Sequence, residues 1–179
     1  IIKAMANCCP ERVMGGWGRR FRVAAKGENP NTGRSFIWHL FQARPGGGAS
    51  IGGDGWSSIG EWHTVGGLKF GSLEVAETRF PLHFRHHEYR VDSGGDGEHR
   101  GGLGVSLDLV FEVREPALAN TAGEGVRHPS CGMVGGRDGK PHHYRLVSTD
   151  GSQVSTSFPP RRMVAVSHKA LISCSLWLM

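Results

Sequence analysis

The sequence predicts a β-rich α+β fold of short, mixed or antiparallel strands joined by glycine-rich turns. Residues 105–113 (VSLDLVFEV) alternate apolar and polar side chains, which is typical of a strand with one buried face. Glycine supplies 28 of the 179 residues, well above its usual share of about 7%. These glycines cluster between apolar runs, and residues 29–33 (NPNTG) form a strong turn signal. Together these features favour many short strands over long helices.

Two more strands are expected, over residues 35–43 and 82–90. Residues 35–43 (SFIWHLFQA) are dense in apolar and aromatic side chains. Residues 82–90 (LHFRHHEYR) alternate, and two polar faces suit an edge strand or one that lines a cleft. Simple alternation places Leu82, Phe84, His86, Glu88 and Arg90 on one face and His83, Arg85, His87 and Tyr89 on the other.

The start of the chain resembles the end of a helix. Residues 1–9 have helical character, and Pro10 is expected to stop the helix. Because proteins seldom start in the middle of a helix, we expect further sequence upstream, so that the chain is the C-terminal fragment of a larger subunit. Residues 44–60 form a long glycine-rich loop, and loops of that length are usually functional or disordered.

Composition excludes several classes of protein. The net charge is +5, but the tight basic pairs, at residues 19–20 and 161–162, are short, so no nucleic-acid partner is predicted. No apolar run approaches the roughly 20 residues of a membrane span. The four cysteines include no CxxC pair, which argues against a disulfide framework or zinc ribbon. In the absence of a signal-peptide pattern, a cytoplasmic location is expected.

Nucleotide and metal motifs are missing from the sequence. It has no GxxxxGK[ST] phosphate-binding loop, and no GxSxG, HExxH or GxGxxG motif. The metal-ligand candidates are His63, His83, His87 and His128, although no ligand spacing supports them. The alternative is that these histidines are exposed or hydrogen-bonded. Cys131, three residues after His128, is interpreted as a structural thiol.

The most distinctive stretch is residues 92–104 (DSGGDGEHRGGLG), in which six of thirteen residues are glycine. One interpretation is a loop whose backbone approaches a ligand, with carboxylates and a guanidinium around it. The other is a tight structural connection. In either case, several of these glycines are expected to adopt positive φ. Arg79 and Arg100 are expected to pair with Glu77, Asp92 or Asp96, or to face an anionic group.

The same region carries a resemblance to the hydantoinase B/oxoprolinase family. The matching residues fall in two groups, Glu77, Arg79, Phe80, Pro81 and Leu82, then Arg90, Asp92, Ser93, Gly94, Gly95, Gly97, Arg100, Gly101, Gly102 and Gly104. The resemblance covers residues 3–150, and it makes Glu77, Arg79, Asp92, Ser93, Gly94, Gly95, Arg100, Gly101 and Gly102 the candidate site residues. It identifies no catalytic residue.

The resemblance implies part of an ATP-dependent enzyme that opens cyclic amides such as 5-oxoproline or hydantoins. ATP and Mg²⁺ would be held by an A-type partner subunit or domain, and any further divalent metal by the family's N-terminal part, so that this chain alone is inactive. Two alternatives stay open, a ketone carboxylase subunit of the same family and a non-catalytic β-rich assembly module.

The resemblance also suggests a boundary near residue 151. Residues 1–151 match the C-terminal part of the family domain. Residues 152–179 lack the family's usual glycine-rich ending, and we interpret them as an atypical tail, either frameshifted or disordered.

Overall fold

A computed structural model describes residues 1–19, 21–59, 70–115 and 117–143, together with the backbone of four later strands. Its helical elements are short: α1 (Ile2–Met5), a 3-10 turn (Pro10–Arg12) and α2 (Leu73–Arg79). The strands are β1 (Phe21–Glu28), β2 (Ser35–His39), β3 (Leu82–Tyr89), β4 (Val105–Phe111), β5 (Ala117–Gly123), β6 (Arg145–Val147), β7 (Gln153–Ser155), β8 (Arg161–Val166) and β9 (Leu171–Cys174).

The described strands form two antiparallel sheets. One has the order β2-β1-β5-β8, and the other has the order β3-β4-β9-β6-β7. All the pairings between these strands are antiparallel. The fold is therefore strand-rich with few helices, as the sequence predicts, and it is the antiparallel alternative that occurs.

One apolar cluster joins the inner faces of the two sheets. Strand β4 supplies its centre, where Leu107 and Leu109 are 1% exposed and Phe111 is fully buried. The rings of Trp38 on β2 and Phe111 on β4 meet edge to face, with centroids 5.7 Å apart. Aliphatic and aromatic burial of this kind is the main source of stability in a two-layer fold.

Helix α2 leads directly into β3. The Ser72 side chain caps the helix by accepting a hydrogen bond from the backbone of Val75 at 3.2 Å. Phe80 ends the helix in an extended conformation, as expected for a residue that precedes proline. The chain therefore leaves α2 already directed into the β3 strand.

A β-bulge in β3 makes the predicted face assignment wrong. The register with β4 shifts between Phe84 and His86, so His87 now lies opposite the buried Leu107, and His86 lies opposite Asp108. Because a bulge inserts one unpaired residue, side chains beyond it exchange faces. His87 consequently lies on the same sheet face as Leu107, although its side chain stays exposed, and His86 and Glu88 lie on the other face.

Other boundaries differ moderately from the predictions. The strand predicted over residues 35–43 ends at His39, and the chain then enters the loop that contains Pro45. Helix α1 is a single turn, and Pro10 opens the 3-10 turn as well as ending the helical region. Strands β1 and β5 were not predicted, because glycine, alanine and charged residues weaken their alternation.

Three backbone strands lie beyond residue 151. Strand β8 pairs with β5, and β9 lies between β4 and β6. The side chains of this region lie outside the described residues, and the boundary at residue 151 stays a prediction. Among the described helices, none has the length and apolar character that a membrane crossing requires.

Candidate functional site

Four glycine-containing segments, residues 15–18, 46–55, 94–102 and 130–139, come together in space, and we call them the glycine layer. Isolated backbone hydrogen bonds link them. Given as donor and acceptor, these bonds are Gly15 to Ala49 at 2.7 Å, Gly16 to Cys131 at 2.8 Å, Gly102 to Gly47 at 2.9 Å and Arg137 to Asp96 at 2.8 Å. The predicted ligand loop at residues 92–104 is thus hydrogen-bonded to two distant segments, 46–55 and 130–139, and both of these bind residues 15–18.

The chains in this layer approach each other too closely for side chains. A Cβ added to Gly94 would overlap the carbonyl of Gly101, and one added to Gly102 would overlap the carbonyl of Trp56. At Gly95 the obstacle would be the carbonyl of Arg137. Real Cβ atoms do not occupy such positions, so glycine is required here by contact between backbones.

The prediction that several glycines of residues 92–104 adopt positive φ is wrong. Among described glycines, positive φ occurs at Gly33, Gly53, Gly125 and Gly135, and at none in residues 92–104. The left-handed residue in that stretch is Asp92, with φ of 56°. Aspartate tolerates this conformation better than most residues. The glycines of the stretch therefore serve close packing, and Asp92 makes the turn.

Ser93 connects the glycine layer to strand β4. Its side chain is fully buried, donates to the carbonyl of Arg90 at 2.8 Å and accepts from the backbone of Gly104 at 2.9 Å. Gly104 directly precedes β4, so Ser93 holds the start of that strand against the turn at Asp92. A buried hydroxyl with both bonds made stabilises both backbone groups.

A cavity of about 70 Å³ opens within the glycine layer. Glycine supplies about half of the residues that line it, and the other lining residues include Asp96, His99, Ser130, Cys131 and Arg137. It is much smaller than the ~300 Å³ or more of pockets that enclose a drug-sized ligand. The cavity has room for a small polar group and forms at most one wall of a larger site.

Beside the cavity, Asp54 binds the segment that carries Arg100. Its Oδ1 accepts a 2.7 Å hydrogen bond from the Arg100 backbone and lies 3.8 Å from His99 Nδ1. The backbone of Gly55 donates to the Arg100 carbonyl at 2.8 Å. Both backbone groups of Arg100 are thus held by residues 54–55, which fixes where its side chain starts.

The candidate residues Glu77 and Arg79 lie on α2, outside the cavity lining. Glu77 Oε1 accepts from the backbone of Phe84 at 2.7 Å and lies 3.0 Å from His83 Nδ1. In the part of the chain that the structure describes, neither Arg79 nor Arg100 pairs with Glu77, Asp92 or Asp96. The ion-pair alternative is therefore wrong for the described residues, and the Glu77 carboxylate is engaged by the backbone of β3 and by His83. The other alternative, that these two guanidinium groups face an anionic group, stays a prediction.

The metal-ligand candidates do not converge. His83 binds Glu77, and His87, which the β3 bulge places on the face of Leu107, has its Nε2 2.6 Å from the carbonyl of Gln42. His128 is exposed on the loop after β5, and His63 lies outside the described residues. Among described residues, no three His, Cys, Asp or Glu side chains are placed to share an ion.

One buried histidine near the layer was not predicted. His142 is 4% exposed, and among described residues its Nδ1 has no hydrogen-bond partner. Burial, with the positive charges of Arg19 and Arg90 in addition, lowers the pKa of His142 to about 4. Burial also lowers the pKa of Arg90 to about 10, which leaves it charged at neutral pH. His142 is therefore neutral beside two cations.

The walls supplied by residues 15–18 and 130–139 were also missed. Their only sequence signal is glycine at close spacing, which also occurs in ordinary turns. Sequence reasoning did single out residues 44–60 and 92–104, and the structure brings these two loops together through Asp54, Gly47 and Gly102.

Comparison with known proteins places this geometry in a family. A sequence model of the hydantoinase B/oxoprolinase family matches residues 1–175. The chain is 32% identical over 137 residues to the caprolactamase subunit beta of Pseudomonas jessenii, covering 75% of this chain and 23% of that protein. It is 30% identical over 81 residues to 5-oxoprolinase 1 of Arabidopsis thaliana, covering 45% of this chain and 6% of that protein.

Solved structures agree. ATP-dependent caprolactamase from Pseudomonas jessenii superposes with a TM-score of 0.68 and 25% identity, over 96% of this chain and 30% of that one. Nucleotide-free acetone carboxylase superposes with a TM-score of 0.67 and 19% identity, over 92% of this chain and 26% of that one. At 19% identity this likeness shows the fold alone. The chain belongs to the hydantoinase B/oxoprolinase family, and it spans less than a third of the length of these relatives.

Proposed function

We propose that this chain forms part of the B-type subunit of an ATP-dependent enzyme that opens cyclic amides. The observation that carries the proposal is the 32% identity, over three quarters of the chain, to a caprolactamase beta subunit. The likeness to acetone carboxylase extends to fold alone, so the carboxylase alternative has weaker support. Cytoplasmic location remains part of the proposal.

The nucleotide would come from a partner. The sequence has no phosphate-binding loop, and the caprolactamase relative is by its name one subunit of several. We assign ATP and Mg²⁺ to an A-type subunit or domain. Phosphorylation of the amide carbonyl oxygen would create a leaving group, so that attack by water and opening of the ring become favourable. The 179-residue chain purified alone is expected to hydrolyse no ATP.

In this proposal the glycine layer is a rigid wall of the substrate site, and the exposed Arg100, which lies between the cavity-lining residues His99 and Gly101, supplies a guanidinium beside that wall. Its backbone is fixed on both sides by residues 54–55, which suits a side chain that must be positioned accurately. In the described part of the chain no carboxylate neutralises it. A guanidinium in this state can bind a carboxylate or phosphoryl oxygen.

Turnover by the complete subunit pair tests the proposal. ε-Caprolactam, 5-oxoproline and hydantoin are each supplied with ATP, and ring-opened product and ADP are measured by mass spectrometry. Acetone with bicarbonate serves as the competing substrate. Ring opening that requires ATP supports the proposal. Carboxylation of acetone without any ring opening would transfer the protein to the carboxylase branch.

A matched pair of variants tests the role of Arg100. Arg100→Ala should reduce kcat/KM about a hundredfold, since a charge-assisted contact to a reacting group is worth roughly 1.5–3 kcal/mol. Arg127→Ala, at an exposed position elsewhere, should leave turnover unchanged. If activity of Arg100→Ala falls only in proportion to soluble protein, residues 92–104 are purely structural.

A further inference from the structure

Three basic side chains, Arg19, Arg90 and His142, meet at the margin of the glycine layer, and none of them lines the cavity. A Cβ added to Gly125 would lie 3.0 Å from Cβ of Arg19 and 3.3 Å from Cδ2 of His142, so these two side chains share one place. Burial lowers the pKa of His142, and the positive charges of Arg19 and Arg90 lower it further, so both cations act on this ring. We call Arg19, Arg90 and His142 the basic cluster.

Backbone hydrogen bonds fix where two of these side chains begin. Arg90 donates its amide to the carbonyl of Gly104 at 2.9 Å, and its own carbonyl accepts from the Ser93 side chain at 2.8 Å. His142 donates its amide to the carbonyl of Gly125 at 3.0 Å. Side chains whose backbone is already held lose less freedom on binding, so these positions suit a binding site.

The surroundings of His142 call for a ligand with negative charge. His142 is 4% exposed, and among the described residues its Nδ1 has no hydrogen-bond partner. Buried polar atoms nearly always have a partner, and one that lacks a protein partner points to a water molecule, an ion or a ligand. A water molecule would satisfy the nitrogen but leave the ring in the positive potential of Arg19 and Arg90. An anionic oxygen would satisfy the nitrogen and offset that potential.

We propose that the basic cluster binds an oxyanion, a carboxylate or a phosphate group, between its two guanidinium groups and its imidazole. Planar guanidinium groups suit such oxygens, and the His142 Nδ1 would donate one further hydrogen bond. Negative charge beside the ring favours its protonated form, in which both ring nitrogens are donors. This inference goes beyond the proposed function, because the basic cluster includes neither Arg100 nor the cavity-lining residues.

Two sources can supply the oxyanion. One is a small free anion, such as inorganic phosphate or the carboxylate of a bound molecule. The other is an aspartate or glutamate from the rest of the subunit, since this chain spans less than a third of the length of its relatives. The binding chemistry is the same for both sources, but only the free anion has to be added.

Chemical footprinting tests the site in the complete subunit bound to its partner. Phenylglyoxal modifies accessible guanidinium groups, and peptide mass spectrometry gives the rate at each arginine. The probes are inorganic phosphate and acetate, each compared with chloride at the same ionic strength. At about ten times its dissociation constant, a bound probe should slow modification of Arg19 about tenfold by mass action. Exposed Arg34, on the turn between β1 and β2, should be modified at an unchanged rate.

Matched variants separate a built site from general screening of charge. Arg90→Gln and His142→Phe should each abolish most of the protection of Arg19, because each removes a group that binds the same oxyanion. Arg85→Gln and His83→Phe, the same changes at exposed positions on β3, should preserve it. Full protection in Arg90→Gln would overturn the proposal, since an anion that merely screens Arg19 needs no second guanidinium. Circular dichroism checks folding, and Arg90→Gln decides if His142→Phe does not fold.

The rates in chloride identify the source. Arg19 that reacts as fast as Arg34 in chloride, and is slowed by phosphate or acetate, binds a free anion. Arg19 that is already slow in chloride, and becomes fast in Arg90→Gln, binds a carboxylate of the protein itself. A rate at Arg19 that neither added anion nor Arg90→Gln changes would mean that the basic cluster binds no oxyanion. None of these rates depends on turnover, so they test the site separately from the proposed function.

Discussion

Side chains fill the interior between the two sheets, whereas backbone atoms fill the glycine layer. At the centre of the sheets, Phe111 packs against Trp38, and exclusion of apolar groups from water stabilises the contact. In the glycine layer, carbonyl groups of Gly101 and Arg137 occupy the positions that a Cβ of Gly94 or Gly95 would need. The sheet interior therefore depends on large apolar side chains, and the glycine layer depends on the absence of a Cβ.

This difference suggests a division of labour. The sheet interior can adjust, because side chains have alternative rotamers and related volumes. The glycine layer cannot adjust in that way, since its neighbours are backbone groups joined by hydrogen bonds of 2.7–3.0 Å. Such a layer suits a surface that must hold a fixed shape beside a reacting molecule.

The largest effect should come from truncation in the sheet interior. Phe111→Ala should lower the free energy of unfolding by about 4 kcal/mol, because it removes a fully buried ring and leaves a cavity. Phe41→Ala, at a ring that is 50% exposed, should cost less than about 1 kcal/mol. Urea denaturation followed by tryptophan fluorescence measures both. Equal losses would mean that the sheets do not share one interior.

Addition of a methyl group should be almost as damaging in the glycine layer. Gly94→Ala should cost about 3 kcal/mol, because its Cβ would overlap the carbonyl of Gly101. Gly52→Ala is the matched control, since its Cβ would lie 3.7 Å from Ser50 Oγ, which is an ordinary van der Waals contact. Urea midpoints decide the comparison. A Gly94→Ala variant as stable as Gly52→Ala would show that the layer can spread.

The junction between the two regions should be sensitive to loss of one hydroxyl. Ser93→Ala should cost about 2 kcal/mol, because it leaves the Gly104 amide and the Arg90 carbonyl without their bonds to this side chain. Ser35→Ala, at an exposed position, is the control and should be neutral. Hydrogen exchange of the Gly104 amide should accelerate in Ser93→Ala, and an unchanged rate would contradict this role.

The smallest effect should be a decrease in the free energy of unfolding at acidic pH. The pKa of His142 is about 4 in the folded chain, below the usual 6.5, so the folded state resists protonation. Stability from this source is complete above pH 6.5 and decreases as the pH falls toward 4. Between pH 7 and 5.5 the loss should be about 1 kcal/mol. His142→Leu should flatten this slope and exposed His128→Gln should not. An unaltered slope in His142→Leu would exclude the mechanism.

The sequence predicts the sheet interior much better than the glycine layer. Alternation in residues 105–113 identifies β4 because its apolar side chains, among them Leu107 and Leu109, are the ones that become buried. The same rule fails within β3, where one bulge residue reverses the faces of His86 and His87. A bulge leaves no mark in the pattern of hydrophobicity, so the rule cannot detect it.

The glycine layer is harder to predict for a physical reason. Glycine content identifies residues 92–104 as unusual, but a glycine required for positive φ and one required for close contact look identical in a sequence. The backbone that lies against Gly95 is that of Arg137, which is 42 positions away along the sequence. The family resemblance identifies Ser93 and Arg100 as candidates, but their partners Gly104 and Asp54 emerge only from the structure.

The close approach of backbones in the glycine layer has a genetic consequence. Every missense change at a glycine codon adds a β-carbon, so Gly94, Gly95 and Gly102 have no conservative replacement. Leu107 and Leu109, in contrast, can exchange for isoleucine or methionine of similar volume. In a library of all single substitutions selected for function, only glycine should be recovered at these three positions, whereas several apolar residues should be recovered at each buried position of β4. These glycines would thus drift least as the family diversifies.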